Sequence, residues 1–362
     1  MAVPLFDIDS PLVPLRSTIM ERIAQVVASG QFVLGPEVRA FEAELADYLG
    51  VRHAIGVANG TDALVIALRA LGVKPGDDVV LPSLTFYATA EAVADIGARP
   101  VFCDVDAATR NVTLDTVVAA LTPATTAVIA VDLFGVPAPT PELRAELEQP
   151  VLEDAAQAAG ASLGGRRAGA LGDVATLSFY PSKNLPCFGD GGAIATDDDA
   201  LAQTARALRF HGSHDKETFT YVGYNSRLDE LQAAILRVLL PELDGWCDGR
   251  RTAADAYLAA GLAEHVTVPV VPARAIPAWH LYAVTHPRAD ELLRALAAAG
   301  VEARGYYRVP LHRQAAMAPF VADQPALPVT DALGAEIVAL PISPVLGADQ
   351  AAEVVAAIAH AL

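Results

Sequence analysis

The sequence predicts an α/β protein with a mostly parallel central sheet, followed by a smaller C-terminal α+β domain. Three observations carry that expectation. Through the first two-thirds of the chain, short apolar runs of strand length alternate with longer stretches of helical period, the pattern of repeated βα units. Past a long apolar helix near residue 240 this alternation gives way to another pattern. The chain also has the material for one large core and one smaller one, with 362 residues of which 53% are hydrophobic and 19% charged.

Each element has a local reason. Residues 37–49 put Val38, Phe41, Leu45 and Tyr48 on one helical face. Residues 54–57 read as a short strand and 61–71 as a helix closed by Gly72, with Thr61 as its plain N-cap. Residues 78–81 form a strand stopped by Pro82, and 86–96 a helix. Strands follow at 99–103, 127–131 and 151–153, with helical segments between them, and two more at 175–179 and 193–196. Residues 228–240 make a long apolar helix that ends near Pro241. Beyond it come a strand at 280–286, a helix at 290–299, a strand at 301–307 and a closing helix at 349–362. The expected division is 1–240 for the large domain and 241–362 for the small one, with the N-terminal segment packing on the small domain.

Charge and composition exclude several function classes. A net charge of −18 gives no basic footprint for nucleic acid and no general attraction to anionic membranes. Any anionic ligand must be held by local donors. Cys103, Cys187 and Cys247 are odd in number and far apart, which fits a reducing cytoplasm better than a disulfide framework. The first residues lack a basic region before an apolar run, so no signal peptide is expected. No apolar run reaches the roughly 18–20 residues of a membrane span. Walker-A, HExxH, EF-hand and GxSxG patterns are missing, and no metal-ligand spacing is found.

The residues that carry chemistry cluster around strand ends. Lys183 lies in Ser178-Phe179-Tyr180-Pro181-Ser182-Lys183-Asn184-Leu185, after an apolar strand and before the Gly189-Asp190-Gly191-Gly192 loop. A lone lysine is usually a solvated surface residue, but burial beside a strand end lowers its pKa and makes the amine nucleophilic. Asp154 ends the run Val151-Leu152-Glu153, and ligands of open α/β sheets gather at the carboxyl ends of strands. Taken alone, Asp154 reads equally well as an N-cap. Together the two suggest a Schiff-base lysine and a carboxylate for a protonated pyridine nitrogen, which is a pyridoxal 5'-phosphate (PLP) site. Gln157, one turn on, is placed for the ring hydroxyl. Gly60 and Thr61 open a helix whose free N–H groups suit a phosphate, although an ordinary turn explains them too. Ser178 adds a hydroxyl for the same phosphate. Phe86 is a stacking partner for a planar ring, or a plain core residue.

In this order, these pieces resemble the DegT/DnrJ/EryC1/StrS family of PLP-dependent sugar aminotransferases. The resemblance runs from Leu34-Gly35-Pro36 to Leu311-His312. Its motifs are Ala58-Asn59-Gly60-Thr61-Asp62-Ala63-Leu64, Glu153-Asp154-Ala155-Ala156-Gln157, the Ser178 to Leu185 stretch, Gly189-Asp190-Gly191-Gly192, and Gly223-Tyr224-Asn225-Ser226-Arg227-Leu228-Asp229-Glu230-Leu231-Gln232. It implies the fold-type I, aspartate aminotransferase-like architecture and a homodimer with a shared active site. It implies that Lys183 holds the cofactor covalently and then moves the proton, that Asp154 pairs with the pyridine nitrogen, and that Asn225 reaches the phosphate of the partner subunit. Some relatives carry histidine at the lysine position and dehydrate sugars, so Lys183 argues for transamination.

The implied reaction is ping-pong. L-glutamate converts the cofactor to pyridoxamine 5'-phosphate, and the amine then passes to a keto group of a nucleotide-diphosphate-linked sugar. The Gly-Tyr-Asn-Ser-Arg motif and the Gly212-Ser213 stretch resemble 3-keto members more than 4-keto members. Departures from the family pattern at Pro186, Cys187, Phe210, Tyr306 and Arg308 lie near the expected sugar pocket. Tyr306, Arg308, His312 and Arg313 are the candidate contacts for the diphosphate or sugar. Two other readings stand beside this one: a cysteine desulfurase that uses Cys187, and a PLP-binding regulator without turnover.

Overall fold

The computed structural model describes residues 3–362. Two helices, α1 (Arg16–Ser29) and α2 (Pro36–Leu49), precede the sheet, and α1 answers to no element expected from the sequence. α2 buries Val38, Phe41, Leu45 and Leu49 along one face. Its first N–H groups have no intrahelical acceptor, and a distant carboxylate serves them. Glu230, itself buried, accepts hydrogen bonds from the N–H groups of Gly35, Glu37 and Val38 at 2.8, 2.9 and 2.9 Å. Glu230 opens the helix Glu230–Leu239, so the apolar stretch near residue 230 is tied to α2 at its first residue.

Five strands follow in order: β1 (His53–Val57), β2 (Asp78–Pro82), β3 (Arg99–Cys103), β4 (Thr125–Val131) and β5 (Val151–Asp154), with α3 (Gly60–Ala70) between the first two. After the short pair β6 (Ser162–Leu163) and β7 (Arg166–Arg167) come β8 (Val174–Ser178) and β9 (Gly192–Thr196). The central sheet has seven strands in the order β1-β9-β8-β5-β4-β2-β3. Its pairs β2/β3, β2/β4, β4/β5 and β5/β8 are parallel, and β9 runs against both of its neighbours. Helices cover the sheet, so strands such as β2 are buried at every position, as their near-continuous apolar runs require.

The smaller unit is built on the antiparallel pair β11 (Tyr282–Thr285) and β12 (Ile337–Leu340), the two-residue strand β10 (Ala275–Ile276) having paired with β6. Its core gathers Tyr257, Leu262, Val284, Leu292, Val338, Val354 and Ile358. Val3 joins that core, and its backbone pairs with Gly300 and Glu302 at 3.0 and 2.9 Å. The helix Leu243–Ala259 links the two units: Leu243 and Cys247 pack in the large core, Ala253 and Tyr257 in the small one. Residue 240 stands in a short helical turn just before this connector.

The strand expected at 301–307 does not form. Val301 and Arg304 make only isolated bridges, to Val3 and Ala339. The chain then turns, with the Arg308 N–H donating to Gly305 O at 2.9 Å, and this turn directs Tyr306 and Tyr307 to the cavity described below. No helix among the described residues is long and apolar enough to cross a membrane.

Candidate active site

A cavity of about 370 Å³ lies at the carboxyl edge of the central sheet, a size typical of small-molecule sites. Its floor comes from residues that end or follow parallel strands: Asn59 after β1, Thr85 after β2, Asp154 at the end of β5 and Ser178 at the end of β8. The register explains why they meet, since Asp154 is flanked by Val131 of β4 and Thr176 of β8.

Asp154 is buried, and its carboxylate is held on both oxygens. The Thr89 hydroxyl donates to Oδ2 at 3.0 Å and the Ala156 N–H to Oδ1 at 3.2 Å. Desolvation nevertheless raises its pKa above the ordinary carboxylate value, with these two bonds and the Lys183 charge opposing the rise. Glu153 points the other way, as strand alternation requires, and accepts the N–H groups of Gly169, Leu171 and Gly172 at 2.7, 2.7 and 3.1 Å. Neighbouring Asp132 is buried against it, and burial with the Glu153 charge keeps Asp132 protonated well above the usual range.

Lys183 follows β8 through a tight turn in which its N–H donates to Tyr180 O at 2.8 Å. It keeps an edge on the cavity, while the surrounding protein strips water from its amine. Desolvation pulls its pKa down to about 8, against the opposing pull of Asp154. A lysine that readily loses its proton at this position is suited to form and break a Schiff base.

The start of α3 forms another wall. Asn59, not Thr61, caps this helix: its side chain accepts the Asp62 N–H at 2.7 Å, which leaves Thr61 inside the first turn and on the cavity. Gly60 is required by close approach, because a Cβ there would stand 2.8 Å from Ser178 Cβ and 3.1 Å from Ser178 Oγ. The helix N-terminus and the Ser178 hydroxyl thus face one small volume, a donor set that fits a phosphate dianion. Phe86 lines the cavity with 54% of its surface exposed, so it is no core residue. Gln157 lines it too, with Oε1 accepting the Phe134 N–H at 2.8 Å. A buried carboxylate, a lysine whose pKa is pulled down to about 8, an anion-binding helix start and an open aromatic face fit PLP.

Three contributors escape sequence reasoning. Thr89 lies 65 residues before the carboxylate it holds, and its only local signal is one hydroxyl in an alanine-rich helix turn. Tyr307 and His280 come from the smaller unit. His280 is buried against Phe6, with ring centroids 5.8 Å apart, and burial next to Lys183 and Arg250 keeps it neutral.

Other predicted residues stand elsewhere. Of the four candidate substrate contacts, Tyr306 alone lines the cavity. Arg308 pairs with Asp290 at 2.9 Å, Arg313 with Asp331 at 2.6 Å, and His312 lies between Ser83 Oγ (2.7 Å from Nδ1) and Asp331 (3.0 Å from Nε2). The turn at 305–308 separates them from Tyr306 and leaves them against the acids Asp290 and Asp331. Asn225 is exposed, off the cavity of its own chain, and accepts a hydrogen bond from Arg227. Cys187 is buried away from the cavity, its thiol donating to Gly189 O at 3.2 Å, and burial pushes its pKa up to about 12. Such a thiol is no nucleophile for desulfuration.

Known proteins agree with this chemistry. The sequence pattern of the DegT/DnrJ/EryC1/StrS aminotransferase family matches residues 14–359. The chain is 43% identical over 316 residues to the UDP-N-acetyl-3-dehydro-alpha-D-glucosamine 3-aminotransferase of Acidithiobacillus ferrooxidans, covering 86% of each chain. It is 43% identical over 363 residues to the dTDP-3-amino-3,4,6-trideoxy-alpha-D-glucose transaminase of Streptomyces venezuelae, covering 98% of this chain and 95% of the other. The crystal structure of S. venezuelae DesV in complex with a ketimine intermediate superposes with a TM-score of 0.95 at 42% identity, over 99% of this chain and 98% of that one. With such coverage in both directions, the chain belongs to the DegT/DnrJ/EryC1/StrS family of PLP-dependent aminotransferases.

Proposed function

We propose that this enzyme moves the amino group of L-glutamate to the keto group of a nucleotide-diphosphate-linked sugar, at C3 rather than C4. The observation that carries the proposal is the likeness, over most of both chains, to two enzymes named for 3-amino products on UDP- and dTDP-linked sugars. When bound, PLP supplies an electron sink that makes the C–H bond next to the substrate nitrogen acidic. The protein supplies the rest. Lys183 takes and returns the proton at Nζ, a role its lowered pKa supports. Asp154, oriented by Thr89 and the Ala156 N–H, holds positive charge on the pyridine nitrogen. Gly60, Thr61 and Ser178 hold the phosphate, Gln157 faces the ring oxygen, Phe86 covers the ring, and Tyr306 contacts the sugar.

The active unit in this reading is a homodimer. Support comes from Asn225, which is exposed and off the cavity of its own chain, and from apolar side chains left exposed on the same chain, among them Phe32, Phe219, Tyr221 and Val222. The working compartment is the cytoplasm, where three free thiols stay reduced.

The test follows the visible band of the PLP-loaded protein. L-glutamate is expected to bleach it, and a nucleotide-linked 3-keto hexose to restore it with release of an amino sugar. A band indifferent to glutamate would refute the donor. Recovery by 4-keto but not 3-keto hexoses would refute the regiochemistry.

A further inference from the structure

Resting on the cofactor reading above, we propose that Tyr307 is a positioning residue for the cofactor, acting through Gln157. The Gln157 amide has one orientation open to it. Its Oε1 accepts the Phe134 N–H at 2.8 Å, which turns Nε2 toward the Tyr307 hydroxyl, 3.1 Å away. That bond uses one of two N–H groups, and the second remains for the cavity that Gln157 lines beside Asp154 and Lys183. An ionised ring oxygen is the acceptor that such a donor suits.

The smaller unit holds this arrangement from two sides. The Tyr307 ring lies nearly parallel to Phe134, with centroids 6.3 Å apart and 16° between planes, and Phe86 meets it at 6.1 Å. Phe134 itself has φ +60°, a left-handed conformation that a phenylalanine keeps only under restraint. The segment 278–281 supplies that restraint: the Ala278 N–H donates to Gly135 O at 2.8 Å and the Leu281 N–H to Phe134 O at 3.3 Å. Gly135, at φ +91°, leaves no room for a side chain, since a Cβ would stand 2.7 Å from His280 N. The peptide that orients Gln157 is thus gripped by the strand segment before β11, and the amide's other end by Tyr307. Docking of the smaller unit and aim of the Gln157 donor are one event.

Tyr307→Phe keeps the ring and removes the hydroxyl. In the dimeric holoenzyme two readouts are expected to move: the dissociation constant for PLP, by about 2- to 12-fold, the range one neutral hydrogen bond spans, and the pH midpoint of the visible band, upward, because an ionised ring oxygen loses an aimed donor. The melting temperature of the apoprotein should fall by no more than about 2–4 °C, the scale of one lost hydrogen bond. Gln157→Ala should move both readouts in the same direction and at least as far, and Tyr307→Phe added to it should change neither further. Unchanged binding and midpoint in Tyr307→Phe would overturn the proposal. So would effects that add in the double variant, since Tyr307 would then act alone. A wild-type protein with no visible band would instead overturn the cofactor reading; an unexpected sugar preference would touch neither readout.

Discussion

Asp154 and Lys183 face the cavity with no salt bridge among the described residues, whereas Arg308, His312 and Arg313, a few residues past the cavity wall, each lie within ion-pairing reach of an acid. Both regions bring acids and basic side chains together, and they treat them oppositely. A buried, unpaired charge is costly and is retained where a ligand supplies what the protein withholds. An exposed pair costs little and contributes little. The difference separates charged side chains that face the cavity from basic side chains that lie against acids beyond its wall.

Breaking the first region should have the largest effect. Lys183→Ala is expected to lower turnover by about 10³-fold or more, at the upper part of the range for a lost acid/base group, and to remove the visible band of the loaded protein. Turnover within tenfold of the parent would place the proton carrier elsewhere. Asp154→Asn should come next, at about 10²- to 10³-fold in kcat, the scale of one lost electrostatic contact in a dry site. A change confined to KM would mean that Asp154 shapes the pocket without tuning the ring.

The unpaired amine also leaves a pH signature in the apoprotein. The folded chain loses the Lys183 proton at about 8, and the unfolded chain near 10.5. Between these values the unfolded state binds more protons, so stability rises with pH; below 8 the cost of burying the charged amine is fully present, and above 10.5 it is gone. Lys183→Met should therefore be more stable than the parent at pH 7, with a gap that closes as pH passes from 8 to 10.5. Denaturant unfolding of both proteins across that range checks it, and a gap independent of pH would show that the amine is hydrated. The second region should barely respond. Arg308→Ala and Arg313→Ala are expected to leave turnover and melting temperature unchanged within error, and a tenfold rise in KM for the nucleotide sugar would return these side chains to the site.

What was legible in the sequence is what local backbone sets. Asp154 ends a strand, Lys183 follows one through a Pro-Ser turn, and Gly60-Thr61 begins a helix just after another. A parallel sheet brings such points to one edge whatever its strand order, so motif and place could be read together. The helical and strand periods of α2, β2 and β3 were legible for the same reason. The 301–307 stretch was not: its alternation suits a strand, but its partners Val3 and Ala339 each take one residue, and a turn ends the pairing.

By itself, then, the sequence determined the α/β class and the sheet edge at which Asp154 and Lys183 meet, because these depend on side-chain type and on spacing of a few residues. Only the tertiary structure decided which charges stay unpaired, that Thr89 steadies Asp154 from 65 residues away, and that Tyr307 meets Gln157 across 150. Pairing and desolvation are properties of surroundings built from distant segments, and no local pattern records them.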